Sequence, residues 1–336
     1  AGGYPSVLPT DAAGNVQENT WAFYPLFPAL AGGLSGLTGM APAAALTIIA
    51  MLAGWGAALV VYVLFRHKAS HAPALWGVAF FATFPVSAVL QVPYAEPLSL
   101  LLLAAALLLV IRRQYLWATP VVVLLCLSRP VGVPFAATLG LLLLHRLWVR
   151  FRPAPPGAGQ REGMHSTRDL AGLAVLTGVG GAMALAWPAA AWAATGDIQA
   201  YTKTETVWRG HDLVPFKPWF DTGISLFGPV LGVLAPFIYV ALFAAMLFLP
   251  PVRQIGVELR LWCACYMAYL VVFLHPQTST FRMLLPLFPL ALGAALVSRS
   301  RAYRGTVVLM FLLLQIVWIV WLWAWAQLPG GGDYPP

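Results

Sequence analysis

The chain has 336 residues, of which 60% are hydrophobic and 9% charged, with a mean hydropathy of +0.80. Soluble domains carry about 25% charged residues, so this composition excludes a water-soluble globular enzyme, and the net charge of +8 is to be read as membrane topology rather than as a nucleic-acid footprint. Cys126, Cys263 and Cys265 lie in or beside apolar runs, and their spacing forms neither a disulfide framework nor a metal signature.

Residues 1–38 read as a polar, Gly/Pro-rich loop that ends in the stretch NTWAFYPLFPAL, Asn19 to Leu30. Two prolines and the aromatics Trp21, Phe23, Tyr24 and Phe27 make it too broken for a spanning helix and too apolar for a solvated loop. It reads as an interfacial aromatic belt with proline-set turns. The chain begins at Ala1 directly in this loop, which is unusual for a polytopic protein, so an upstream segment is expected.

Apolar runs then predict ten spans, at 39–65, 73–91, 96–111, 116–128, 131–147, 169–195, 224–249, 259–274, 283–298 and 305–328. The third to fifth are short for a full crossing, so they are either tilted or, over 116–147, a broken re-entrant pair around Ser128-Arg129-Pro130. The expected fold is an all-α polytopic membrane protein with one domain over 1–336. Within it, 1–38 and 196–223 are external loops, and 148–168 is a Pro/Gly-rich, basic cytoplasmic linker.

Charge distribution tests this division. If residues 1–38 face outward, the alternate loops and helix ends on the inner side hold fourteen of the 19 basic residues, leaving Arg129, Lys203, Arg209, Lys217 and Arg282 outside. Most carboxylates fall outside as well, among them Asp11, Glu18, Glu96, Glu205 and Asp212. Almost no ionisable group sits mid-helix, which counts against ion-coupled transport and places the chemistry at the outer membrane–water boundary.

Four stretches there carry candidate residues. The first loop offers Tyr4, Trp21 and Tyr24, with Asp11 as its acid. In FPVSAVLQVPYAEPLSL, Tyr94 precedes Glu96 at a helix start, where a carboxylate is either a favourable cap or a general base. In CLSRPVGVPF, Arg129 is either a snorkelling anchor or a phosphate ligand. In HPQTSTFRMLLPLFP, His275 and Arg282 share a short turn, and the guanidinium fork again suits phosphate oxygens. The long loop 196–223 adds Trp208, Arg209 and His211 as a solvated segment or a substrate lip; His211-Asp212 lacks the further ligands a metal needs. Together these residues suit a lipid-linked phosphate held by Arg129, Arg282 and Arg209, beside a sugar cavity lined by Tyr4, Trp21, Tyr24, Tyr94, Trp208, His211 and His275.

The segments GYPSVLP…NTWAFYPLFP, FPVSAVLQVPYAEPLSLLL, LSRPVGVPF and TFRMLLPLFPL, in this order, resemble the PIG-V mannosyltransferases, including their actinobacterial members, within the polytopic GT-C glycosyltransferases. Tyr24, Pro25, Phe27 and Pro28 match the family's aromatic–proline motif, Tyr94 and Glu96 its Tyr-x-Glu motif, and Ser128-Arg129 its Ser/Thr-Arg motif. The resemblance implies a GT-C-like bundle and inverting transfer of mannose from a polyprenyl-phosphate donor to an acceptor hydroxyl. It implies neither a cofactor nor an obligatory metal, and its partners are membrane lipid, the donor and an unspecified acceptor. It places the catalytic Asp upstream of the Gly-Tyr-Pro motif and so before residue 1, leaving Asp11 as the nearest acid; the expectation for the chain as given is either a transferase or an inactive fragment of one. The expected location is a bacterial cytoplasmic membrane with the active face outward, or the endoplasmic reticulum in a eukaryote. Other readings are a multi-span transporter or lipid flippase, and a non-catalytic partner subunit.

Overall fold

The computed structural model describes residues 3–151, 166–207, 214–276 and 279–323. Among these the structure is helical, with one isolated antiparallel bridge between Thr10 and Val16 and no strand. After a 3₁₀ turn at Thr20–Ala22 come α1 (Leu26–Thr38), α2 (Pro42–Arg66) and α3 (His71–Thr83). A second 3₁₀ turn, Ser87–Gln91, leads to α4 (Glu96–Ile111), α5 (Tyr115–Cys126) and α6 (Gly132–Phe151). Then follow α7 (Thr167–Ala184), α8 (Ala186–Thr195), α9 (Ala200–Thr206), α10 (Lys217–Leu247) and α11 (Pro250–Arg253). The chain closes with α12 (Val257–Phe273), α13 (Thr280–Met283), α14 (Pro289–Val297) and α15 (Arg301–Val317).

Local chemistry sets many of these ends. The hydroxyls of Ser166 and Ser300 accept from the N–H groups of Asp169 and Tyr303, capping α7 and α15. Prolines stand in the first turn of α2, α4, α10 and α14, where a missing N–H costs nothing. α4 is the most enclosed helix: Leu100, Leu103, Ala104 and Leu107 are fully buried as it packs on α2 and α5. The opposite situation holds for Leu52, Trp55 and Leu59 of α2, Leu141 and Leu144 of α6, and Leu309, Leu313 and Ile316 of α15, which are exposed. Apolar faces of that extent are stable only against lipid, and the chain is a membrane-embedded α-helical protein. Helix association there draws on packing and polar contacts more than on a hydrophobic gain.

Fewer helices than the ten expected crossings are long and apolar enough to span. Five helices of the described residues are long and apolar enough to span, Pro42–Arg66, Gly132–Phe151, Thr167–Thr195, Lys217–Leu247 and Arg301–Val320, or six if the bent pair Thr280–Leu287 and Pro289–Val297 is counted as one. α3, α4, α5 and α12 sit where spans were expected but have only 13, 16, 12 and 17 residues, and a crossing takes about 20. The bent pair turns by 73°, with Pro286 and Pro289 in the first turns of two short elements, Leu285–Leu287 and α14, where a missing N–H is tolerated. The loop boundaries shift too. α1 lies inside the expected external loop 1–38, α9 and the start of α10 lie inside 196–223, and the expected linker 148–168 begins within α6 and ends within α7.

Lys217–Leu247 is a hairpin rather than one straight helix. Gly228 leaves the helical region (φ 78°, ψ 176°), in a conformation open essentially to glycine alone. The Trp219 and Tyr239 rings stack at 5.5 Å, and Phe220 meets Phe237 at 5.6 Å. In a straight helix, residues twenty apart would be separated by about 30 Å. The arms cross where Gly223 faces Gly232: a Cβ on Gly223 would stand 2.4 Å from the Gly232 carbonyl oxygen. The spanning arm is therefore 229–247.

Two ion clusters mark opposite ends of the bundle. At one end Glu258, beginning α12, meets Lys68 at 3.1 Å and Arg146 of α6 at 3.6 Å, while Arg146 also donates to the Tyr115 hydroxyl of α5. At the other end Glu96, beginning α4, meets Arg129 and Arg282. Along α6 and α12, the fully buried Phe135, Leu139 and Trp262 fill the layer between the two clusters.

Candidate functional site

Glu96, Arg129 and Arg282 come from three separate elements. Glu96 opens α4, where the unpaired N–H groups of the first turn favour a carboxylate. Arg129 lies in the tight link between α5 and α6, ahead of Pro130. Arg282 sits on α13, which is tied to α12 by the Tyr266 hydroxyl donating to the Met283 carbonyl (2.8 Å) and the Trp262 indole N–H donating to the Pro286 carbonyl (2.7 Å).

Both guanidiniums use the same carboxylate oxygen. Arg129 Nη1 is 2.5 Å and Arg282 Nη1 3.3 Å from Glu96 Oε1, whereas Glu96 Oε2 and Arg282 Nε are buried with no hydrogen-bond partner. The Arg282 guanidinium also lies over the Tyr94 ring, 5.0 Å from its centroid, which holds it independently of the carboxylate. The Glu96 side chain is 6% and that of Arg129 23% exposed, so the arginine is the reachable member. Within ion-pair distance, two cations face one anion. Tyr94, Glu96, Arg129 and Arg282, each a candidate in the sequence, are in mutual contact here.

The aromatic stretch forms a neighbouring wall. The Leu26 N–H donates to the Leu127 carbonyl at 3.0 Å, beside Ser128-Arg129, and Phe27 packs with Ala50, Ala53 and Leu98, the last of these on α4 just after Glu96. Trp21 and Tyr24 are buried, and their rings belong to a cluster with Tyr4, Trp187 and Tyr201. Trp21 lies 4.8 Å from Tyr4 and 4.9 Å from Trp187, and Tyr24 lies 6.1 Å from Tyr201. Indole N–H groups close the cluster: Trp21 donates to the Pro5 carbonyl and Trp187 to the Trp21 carbonyl. Trp21 and Tyr24 thus brace the wall from inside, while Tyr4 is exposed and borders a concavity of about 560 Å³ with Gly3, Pro5, Ser6, Asn19 and Thr20. Burial pushes the Tyr24 and Tyr201 phenols above the usual tyrosine range.

The remaining expected residues are placed elsewhere. Asp11 accepts from the N–H groups of Ala13 and Asn15 and from the Asn15 side-chain amide, the pattern of a loop-forming aspartate. With Val16, Gln17, Glu18 and Val207 it lines a second concavity, of about 380 Å³. His275 is half-buried just past the end of α12. Trp208, Arg209 and His211 lie outside the described residues. Among the described residues no group of three or more His, Cys, Asp and Glu side chains is placed to hold a metal ion.

Glu205 of α9 was not singled out from the sequence. It stands within electrostatic reach of Arg129, Tyr24 and Tyr201 and is a further carboxylate facing this region. Its only sequence signal was membership of the acidic residues of one face. Tyr266 and Trp187 were likewise unmarked, because their roles depend on partners far along the chain. Comparison with family models, with curated proteins and with solved structures finds no match.

Proposed function

We propose that the protein is an integral-membrane glycosyltransferase that moves a sugar, mannose by the family resemblance, from a polyprenyl phosphate to an acceptor hydroxyl. The observation carrying this reading is the pair Arg129 and Arg282 converging on one oxygen of one buried carboxylate. Two guanidiniums against one carboxylate leave positive charge at the boundary of an apolar bundle, and planar nitrogen forks suit phosphate oxygens.

In this reading the lipid-linked phosphate lies against Arg129 and Arg282. The acceptor oxygen attacks the sugar's anomeric carbon while the bond to the phosphate oxygen breaks, inverting that centre. The arginines neutralise the charge that grows on the departing phosphate, so their stabilisation is largest in the transition state. The hydroxyl proton passes to a carboxylate beside the acceptor. The bias of basic residues to the other side of the bundle supports an extracytoplasmic site. Among the described residues, the buried apolar Phe135, Leu139 and Trp262 lie between the two ion clusters along α6 and α12, which supports an enzyme over a transporter.

The test is transfer from labelled polyprenyl-phosphate mannose in membrane vesicles. Arg129→Ala and Arg282→Ala should each lower the rate by about a hundredfold or more with the folded fraction unchanged. Wild-type rates from both variants would refute the assignment.

A further inference from the structure

We infer that Glu96 is a built-in counter-ion that occupies the phosphate's place between Arg129 and Arg282 when no ligand is bound, and is not the proton acceptor of the reaction. The inference rests on the phosphate-site reading above.

A carboxylate placed to clamp an arginine engages both oxygens side by side. Here Oε1 serves both arginines, at 2.5 and 3.3 Å, while Oε2 and the Nε of Arg282 are buried without partners. Such groups cost free energy in every moment they stay unpaired. A phosphate, with more oxygens and more charge, could engage donors that a single carboxylate oxygen leaves idle. Arg282 need not collapse when the contact is exchanged, because its guanidinium rests on Tyr94. Arg129, half-buried, is the most accessible member of the cluster and the one through which an anion would enter. A carboxylate standing 2.5 Å from one guanidinium competes directly with an arriving anion, so its removal should raise anion affinity. A general base predicts the opposite pattern, unchanged binding with lost turnover, and a purely structural strut predicts weakened binding.

The experiment measures binding of geranyl phosphate to the purified chain in detergent micelles, with geraniol and inorganic phosphate as parallel arms. Glu96→Gln should bind geranyl phosphate about tenfold more tightly than the wild type, about 1.4 kcal/mol. Asp197→Asn, which removes a carboxylate that pairs with Lys203 instead, should change it less. If Glu96→Gln does not fold, Glu96→Asp decides: the shorter acid loosens the contact and should tighten binding by a smaller factor. Equal or weaker binding by the folded variant overturns the inference. The same ordering with inorganic phosphate supports it and assigns the ligand as a free anion rather than a lipid headgroup. Failure of every variant to prefer geranyl phosphate over geraniol removes the phosphate site and this inference with it. The expected ordering without sugar transfer would leave the counter-ion standing and remove only the transferase reading.

Discussion

Replacing Glu258 by glutamine takes away the only carboxylate that, among the described residues, holds the ion cluster opposite the candidate site. Glu258 holds Lys68 at 3.1 Å and Arg146 at 3.6 Å. At an effective dielectric of about 20, each contact is worth about 5 kcal/mol of Coulomb attraction before desolvation is counted. The two cations then behave differently. Lys68, 17% exposed, can swing its flexible stem toward water, but Arg146, 4% exposed, cannot. The cost is therefore set by an uncompensated buried guanidinium that retains only the Tyr115 hydroxyl, and about 3–5 kcal/mol of stability should be lost. Asp169→Asn is the control: its partner Arg113 is 39% exposed at a similar distance of 3.2 Å, and that pair should contribute less than about 1 kcal/mol. Reversible unfolding in mixed micelles of rising ionic-detergent content measures both. A loss below about 1 kcal/mol for Glu258→Gln would refute the claim that this cluster pins α5, α6 and α12 together.

Two further outcomes are expected. In a background free of Cys126, Cys263 and Cys265, the pair Trp219→Cys and Tyr239→Cys should be joined by a short bifunctional thiol reagent, because the native rings stack at 5.5 Å; absence of the cross-link would mean a straight helix. Tyr24 and Tyr201 are held protonated by burial in the folded state, whereas unfolded tyrosine ionises near a pH of about 10. Their raised values leave stability intact below that pH and erode it as pH rises further, since the unfolded chain releases its protons first. Tyr24→Phe should flatten this alkaline fall in the unfolding midpoint, and an unchanged profile would show that the phenol is not confined.

Class and local elements were legible in the sequence. The scarcity of charge and the recurring apolar runs announce a helical membrane protein, and several predicted spans coincide with helices: 39–65 with α2, 96–111 with α4 and 305–328 with most of α15. Tyr94, Glu96, Arg129 and Arg282 were visible as polar interruptions of apolar runs, because a charged residue at a membrane boundary is costly enough to stand out. The Gly228-Pro229 dipeptide was an available turn signal inside the expected span 224–249, but apolarity on both sides masked it.

Composition and periodicity by themselves determined that this chain lies in a membrane, that it is helical, and where its charged groups punctuate the helices, since each of these follows from a residue and its near neighbours. Only the tertiary structure decided how long each helix runs, that α10 folds back on itself, that Trp21 and Tyr24 face inward, and that Arg282 shares a carboxylate oxygen with Arg129. Those outcomes depend on contacts between residues as far apart as Glu96 and Arg282, whose approach is set by how the whole bundle packs and leaves no trace in either local sequence.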